Sequence, residues 1–306
     1  MDRMVSVELG SSGRVLDLHR LHQFLAVAEL AGFTAAAAEL HLTQQALSSS
    51  VRQLEKQLRV ELFDRSGRQL VLTDAGRVLR DGARALLAAS DALYRRTHEA
   101  GIAAPPTFVV GHTPAITAEE VYDLLAPVRT GRPDVSVTVR QMYPDALAQA
   151  LHEGTIDVAL RRAVANPPDL AAAVIAYHQV RVAVARTHRL ADRAAVTVHD
   201  LEDEQIVIWA PPGASYYTDF ILSTCRRAGF EPRFVVNHIQ GTPPVTAVVD
   251  TEHVAIVTAP AGPALGGRVQ VIELKAGPVA ATQALWLPHT TSDVRDLLLG
   301  ARSAED

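Results

Sequence analysis

Gly101-Ile102-Ala103-Ala104-Pro105-Pro106 divides this chain into two stretches with different hydrophobic periodicities. Two adjacent prolines lack the N–H groups a continuing helix needs, and their rings clash with the preceding turn, so the segment reads as a hinge over 101–106. Before it, residues 17–74 alternate short helical patterns with few breakers, and residues 75–100 form one uninterrupted helical pattern. After it come short β-rich runs at 107–111, 135–141, 156–160, 180–185, 205–209, 233–236 and 253–257. Helical patterns lie between several of them, at 117–129, 144–152, 218–228 and 243–250. Strands alternating with helices predict an α/β domain with a largely parallel sheet. Residues 1–16, with Gly10-Ser11-Ser12-Gly13, read as a flexible tail.

Composition narrows the function classes. Of 306 residues, 48% are hydrophobic and 21% charged, which suits folded cores and excludes a disordered chain. No apolar run reaches the roughly 18 residues of a membrane span. The first residues lack the apolar stretch of a secretion signal, so a cytoplasmic protein is expected. The single cysteine, Cys225, excludes an internal disulfide framework and a multi-cysteine zinc site. The 12 histidines show no His-Glu-x-x-His spacing, so neither metal nor cofactor is expected. A net charge of −5 hides an uneven distribution of cations. Residues 52–68 carry Arg52, Lys56, Arg59, Arg65 and Arg68 against Glu55, Glu61 and Asp64, a local excess that can contact phosphates.

The segment 33–55 gives that excess a context. Thr34 and Thr43 each precede a helical pattern, where a hydroxyl can cap free N–H groups. Ala35 to Leu40 makes a short helix of small side chains, His41-Leu42 a tight turn, and a second helix starts near Gln44. At 100° per residue, Leu47, Val51, Leu54 and Leu58 fall within roughly 60° of one another as a core-facing stripe. Gln45, Ser48, Ser49, Arg52, Lys56 and Arg59 share an adjacent face that holds no acid. Glutamine and serine can meet base edges, and arginine can grip phosphate or guanine. The same pattern also suits an ordinary amphipathic helix. The following Phe63 to Thr73 reads as a β-hairpin whose turn carries Arg65 and Arg68, a wing able to lie along a phosphate backbone, and Thr73 caps the long helix.

Here the chain resembles the LysR-type transcriptional regulators, nearly continuously from Leu21 to Gly76. The matching residues include Phe24-Leu25-Ala26-Val27-Ala28-Glu29, Gly32-Phe33-Thr34, Leu42-Thr43-Gln44, Ala46-Leu47-Ser48, Leu62-Phe63-Asp64-Arg65 and Leu72-Thr73-Asp74-Ala75-Gly76. The resemblance implies a winged helix-turn-helix over 17–74 that binds double-stranded DNA through Thr43, Gln44, Gln45, Ser48, Ser49, Arg52, Lys56, Arg65 and Arg68. The chain departs from the family's pattern at Gln45 (usually proline), Ser49 (often arginine) and Arg59 (often glycine), which puts the operator sequence in doubt. In residues 75–100, Leu79, Gly82, Leu86, Ala89 and Leu93 recur at spacings of three and four, and Val78, Ala83, Leu87 and Tyr94 widen the stripe. Such a stripe suits a partner helix or the chain's own second domain. The resemblance implies a homodimer or homotetramer joined there, reading an interrupted palindrome.

Residues 107–306 resemble the family's effector domain through Gly111, Pro133-Asp134-Val135, Gly154-Thr155-Ile156-Asp157-Val158 and Val254-Ala255-Ile256-Val257. The implied fold is two α/β lobes around a cleft, like a periplasmic binding protein, with lobe one near 107–178 and 268–300 and lobe two near 179–267. Ligands of open α/β sheets bind beyond the carboxyl ends of strands. Thr113, Pro114, Tyr143, Arg161, Arg162, Ser215, Gly241 and Thr242 lie in loops of that description. Each also has a bland reading: a helix cap for Thr113, packing for Tyr143, solvated arginines at 161 and 162, a surface loop at 215–217. Hydroxyls with arginines imply a small organic effector, anionic rather than cationic. The chain carries no Gly-x-Ser-x-Gly elbow or Gly-rich phosphate loop, which argues against an enzyme. A DNA-binding protein with no effector is a further alternative.

Overall fold

A computed structural model describes residues 15–64, 70–101, 105–239 and 242–300. The chain divides into two compact units, the first ending at Asp91 and the second beginning at Ala92.

The first unit contains α1 (Leu18–Glu29), α2 (Phe33–Glu39), α3 (Gln44–Leu58), a two-stranded antiparallel wing of β1 (Phe63–Asp64) and β2 (Val71–Leu72), and most of α4 (Asp74–Ala100). Asp17 caps α1 by accepting from the His19 and Arg20 N–H groups. α2 opens from Gly32, so Thr34 lies inside the helix and does not cap it. Ala36 and Ala37 are buried, which brings α2 close to its neighbours. His41 takes a left-handed conformation in the turn, and Thr43 Oγ1 accepts from Ala46 N–H at 3.2 Å to start α3. Leu47, Val51 and Leu54 of α3 are fully buried with Leu21, Phe24 and Val27 of α1. Phe63 seals this core, its ring centroid 5.4 Å from Phe24 and 5.8 Å from Phe33. Leu16 packs against the same core, so the domain reaches further toward the N-terminus than the 1–16 tail allowed. Residues 1–14 and the wing tip with Arg65 and Arg68 lie outside the described residues, as do 102–104 of the hinge segment.

The second unit holds two sheets. One has strand order β4 (Ser136–Gln141), β3 (Thr107–His112), β5 (Val158–Arg162), β14 (Val279–Trp286) and β6 (Ala171–Gln179). It is packed by α5 (Ala118–Leu124), α6 (Ala126–Gly131), α7 (Pro144–His152) and α9 (Asp293–Gly300). The other runs β10 (Arg233–Val236), β9 (Gln205–Ile208), β11 (Val254–Val257), β7 (Arg181–Ala185), β13 (Val269–Leu274), β12 (Gly262–Ala264), with β8 (Ala195–Val196) on β13 and α8 (Tyr216–Arg227) packed on its core.

Several expectations change here. The sheets are mixed rather than largely parallel: β3 pairs in parallel with β4 and β5, and β9 with β10 and β11, whereas β14, β6, β7 and β13 pair antiparallel with their main neighbours. The chain crosses between lobes twice, at Val180 and at 275–278, and returning strands must run back across each sheet. These crossings lie side by side, with Val180 N–H donating to the Pro278 carbonyl. Val269–Leu274 therefore belongs to lobe two, not lobe one as the boundary at 268 placed it, because it pairs with β7 and buries Val269 and Val271 in that core. The helix expected at 117–129 splits at Leu125, because Pro127 has no N–H to give the preceding turn. The one expected at 243–250 tightens to a single 3-10 turn, Pro244–Val248. No helix among the described residues is long and apolar enough to cross a membrane.

The junction between wing and α4 is tight. Thr73 Oγ1 accepts from Gly76 N–H at 3.0 Å and donates to the Glu61 carbonyl at 2.7 Å, and a Cβ on Gly76 would overlap the Leu62 carbonyl oxygen. Backbone cannot yield as a flexible side chain does. Gly76→Ala is expected to destabilise the first unit by about 1–3 kcal/mol, read as a lowered urea midpoint.

Candidate nucleic-acid and effector sites

α3 has the polarity its sequence demands. With Leu47, Val51 and Leu54 inward, Gln44, Gln45, Ser49, Arg52 and Lys56 are exposed and Ser48 is half-buried. Neither Arg52 nor Lys56 forms an ion pair among the described residues, so both cations are available to phosphate. Thr43, a predicted contact, spends its hydroxyl as an acceptor for the helix cap. The sequence had grouped these residues by helical angle, and the buried stripe fixes that angle.

The effector candidates separate. β5 ends two residues later than its sequence pattern suggested, so Arg161 and Arg162 lie in the strand and point to opposite faces. Arg162 is buried against α5. Its Nη2 donates to Glu120 Oε1 at 2.6 Å and Oε2 at 2.7 Å, and to Thr258 Oγ1 at 2.7 Å. Nε donates to the Ala115 carbonyl at 3.3 Å, and Nη1 donates to Thr282 Oγ1. A guanidinium this buried and already paired with Glu120 is committed to structure, which argues against the effector contact expected of Arg162. Arg161 differs: Nε donates to Gln283 Oε1 at 3.0 Å and Nη2 to the Ala165 carbonyl at 2.6 Å, with no acid partner among the described residues. Partial burial lowers its pKa without a compensating anion.

Thr113 follows β3 directly, its N–H donating to the Leu160 carbonyl. Its side chain is buried, and its hydroxyl has no hydrogen-bond partner. It caps nothing: the N-cap of α5 is Thr117, in a capping box with Glu120. Pro114 is buried beside it, and Tyr143, half-buried, precedes α7 at the end of β4. His112 is also buried; desolvation lowers its pKa against the raising effect of the Thr113 and Ile116 backbone, so the ring is neutral at pH 7. On lobe two, Ser215 precedes α8 with no cap bond from its side chain, and Thr242 Oγ1 accepts from Thr246 Oγ1 at 2.9 Å. Gly241 lies outside the described residues. Tyr216 and Tyr217 are helical rather than part of a surface loop, and Tyr217 is buried with its hydroxyl donating to the Ile256 carbonyl. Cys225 is buried, and desolvation pushes its thiol up to about 11, which leaves it unreactive.

Sequence reasoning missed Glu120, His178 and Thr258, which surround Arg162. The Thr117-x-x-Glu120 spacing was a visible capping box, but nothing local shows that the same carboxylate accepts from Arg162 and lies 3.1 Å from His178 Nδ1. Burial raises the Glu120 pKa, but Arg162, His178, the Thr117 N–H and Thr258 together outweigh it and hold the carboxyl below its ordinary range. Burial lowers that of His178, as does Arg162, against the opposing pull of Glu120.

Comparison with known proteins decides the family. Residues 18–77 match the model described as bacterial regulatory helix-turn-helix protein, lysR family, and residues 103–299 match the LysR substrate binding domain. The chain belongs to the LysR family of transcriptional regulators. It is a DNA-binding regulator with an effector domain, not an enzyme. Among similar proteins, the uncharacterized HTH-type transcriptional regulator YnfL of Escherichia coli (strain K12) is 32% identical over 284 residues, 89% of this chain and 91% of YnfL. XapR of the same organism is 29% identical, over 76% of this chain and 79% of XapR. The fold is shared with CbnR, a LysR family regulator, at a TM-score of 0.56 and 22% identity, covering 95% of this chain and 100% of CbnR. HinK from Pseudomonas aeruginosa gives a TM-score of 0.53 at 21% identity, over 95% of this chain and 99% of HinK.

In this LysR regulator, Glu120→Ala leaves a buried guanidinium unpaired and is expected to cost the effector unit about 3–5 kcal/mol, measured by chemical denaturation. The depressed Glu120 pKa contributes stability above the unfolded carboxyl's value of about 4.3, and this is lost as pH falls through the folded value. The depressed His178 pKa acts in the same direction below about 6.5, because the unfolded ring takes up its proton first. Stability is therefore expected to fall with acidification, and Glu120→Ala to remove the carboxyl's own part of that fall, below about pH 4.3.

Proposed function

We propose that this regulator works in the cytoplasm as a homodimer or homotetramer whose paired α3 helices read an interrupted palindrome, under control of a small anionic effector bound at the strand ends of lobe one. The DNA reading rests on the α3 face of Gln44, Gln45, Ser49, Arg52 and Lys56, all exposed, with half-buried Ser48, beside a fully buried apolar stripe. Base-edge donors and acceptors at the start of the helix specify sequence, and the cations further along position it. Gln44→Ala is expected to relax sequence preference. Arg52→Ala should weaken binding to all duplexes and reduce its salt dependence. Footprinting and anisotropy titrations separate the two outcomes, and unchanged protection by both variants would move the reading surface elsewhere.

The α4 stripe supports assembly in a modified form. Leu79, Leu86 and Leu87 pack against the unit's own core, so they are not free for a partner helix. Val78 and Leu93 remain exposed and fall within roughly 60° of one another around the helix, a seam that a second copy of α4 would cover.

The effector reading is carried by the buried hydroxyl of Thr113, which has no partner. Buried polar groups are rarely left unsatisfied in a folded protein, and a bound ligand's polar atom would complete this one. Thr113 borders the C-terminal end of β5, and Arg161 near that end supplies a cation not neutralised by an acid. A carboxylate on the effector fits this pair, with Tyr143 alongside and Ser215 and Thr242 from the second lobe. In a thermal-shift screen of carboxylic acids, a ligand that binds only the native state raises the melting temperature. Thr113→Val and Arg161→Ala should each diminish that rise by removing a ligand contact.

A further inference from the structure

We infer that Arg59 is an additional phosphate-contacting residue, at the C-terminal end of the DNA-reading helix. This rests on the proposed reading of the α3 face. Arg59 is the residue at which α3 stops, with φ 59° and ψ 30°, in the left-handed region. A side chain there brings Cβ against the following backbone, a conformation that glycine takes without penalty. Helices commonly end on glycine for that reason. The backbone job at this position, an N–H donated to the Glu55 carbonyl, would be done as well by glycine. Arg59 is also exposed and forms no ion pair among the described residues. The fold therefore gains little from a long cation at a strained position.

What Arg59 does supply is continuity of charge. Arg52, Lys56 and Arg59 follow at spacings of four and three, which places successive residues along one side of a helix. All three are exposed. Gln44 and Gln45 begin the same helix, so the cations run from its middle to its end while the neutral base-edge groups sit at its start. Charge placed along the flank of a groove-reading helix meets phosphates, and a third cation extends that row past the last helical turn. An exposed residue that strains the backbone, has no ion-pair partner among the described residues and continues a cationic row is accounted for by a partner that is itself a row of anions.

The test uses the full-length protein and a random-sequence 30-base-pair duplex, because a phosphate contact strengthens binding to every sequence. Arg59→Gly and Arg59→Gln are measured by fluorescence anisotropy across a salt series, with Arg59→Lys as the charge-retaining control and Arg52→Ala as the reference. Each lost phosphate contact lowers the slope of log K against log salt by about 0.9 per protomer. Arg59→Gly and Arg59→Gln should show that loss, and Arg59→Lys should keep the parental slope. Thermal melts supply the second readout. Arg59→Gly should melt at or above the parent temperature, since it relieves a left-handed side chain, so weaker binding would not be traceable to unfolding. A parental slope in Arg59→Gly and Arg59→Gln, with a reduced slope in Arg52→Ala, overturns the assignment of Arg59 alone. Parental slopes in all the variants, Arg52→Ala included, overturn the reading of the α3 face itself. A melting temperature lowered in Arg59→Gly would instead make Arg59 a structural helix end and also overturn the inference.

Discussion

The buried guanidinium of Arg162 organises the effector unit. It sits at the end of β5, and its five donor bonds reach α5 through Glu120, β14 through Thr282, the loop after β3 through the Ala115 carbonyl, and lobe two through Thr258. A charge this deep is costly to desolvate and persists where acceptors and an opposite charge lie beside it. Those conditions fix the positions of the groups that meet it. The first lobe's strand ends, the capping box of α5 and one point on the second lobe are thereby held in a single arrangement.

That arrangement shapes the effector site by exclusion. With Arg162 neutralised by Glu120, the proposed effector site rests on the Thr113 hydroxyl, the half-buried Arg161 and Tyr143 at the strand ends of lobe one. The lobe crossings at Val180 and Pro278 lie side by side, so a narrow pair of segments joins the lobes. The Arg162–Thr258 bond is a further contact between the lobes. A ligand held by both lobes biases their arrangement only as far as it binds one arrangement better than another.

The first unit is built on a plainer constraint. A domain this small has little interior, and it fills that interior with one helix stripe from α1, one from α3, two alanines from α2 and Phe63 from the wing. Burying Leu47, Val51 and Leu54 sets the rotation of α3, and the opposite consequence of that rotation is the exposed face of glutamines, serines and cations. Tight wing geometry at Gly76 and the Thr73 cap then start α4 directly from this domain.

Periodicity, caps and motif spacing determined much of this from the sequence: the helix-turn-helix, the face α3 presents, the long helix and an α/β second domain, whose two lobes the family resemblance implied. Each depends on neighbours within a few residues or on a repeat read along one element. The sequence did not reveal that Val269–Leu274 belongs to the second lobe, or that the sheets are mixed, because strand partners lie many residues away and leave no local mark. It grouped Arg161 with Arg162 because they are adjacent, and only the fold separated them. Alternation along β5 turned one toward Glu120, 42 residues away in the chain, and left the other without an acid. Whether a charged side chain is a ligand contact or a structural pin depends on which other charge the tertiary structure brings beside it. Burial and distance settle that, and neither is encoded within a short window of sequence.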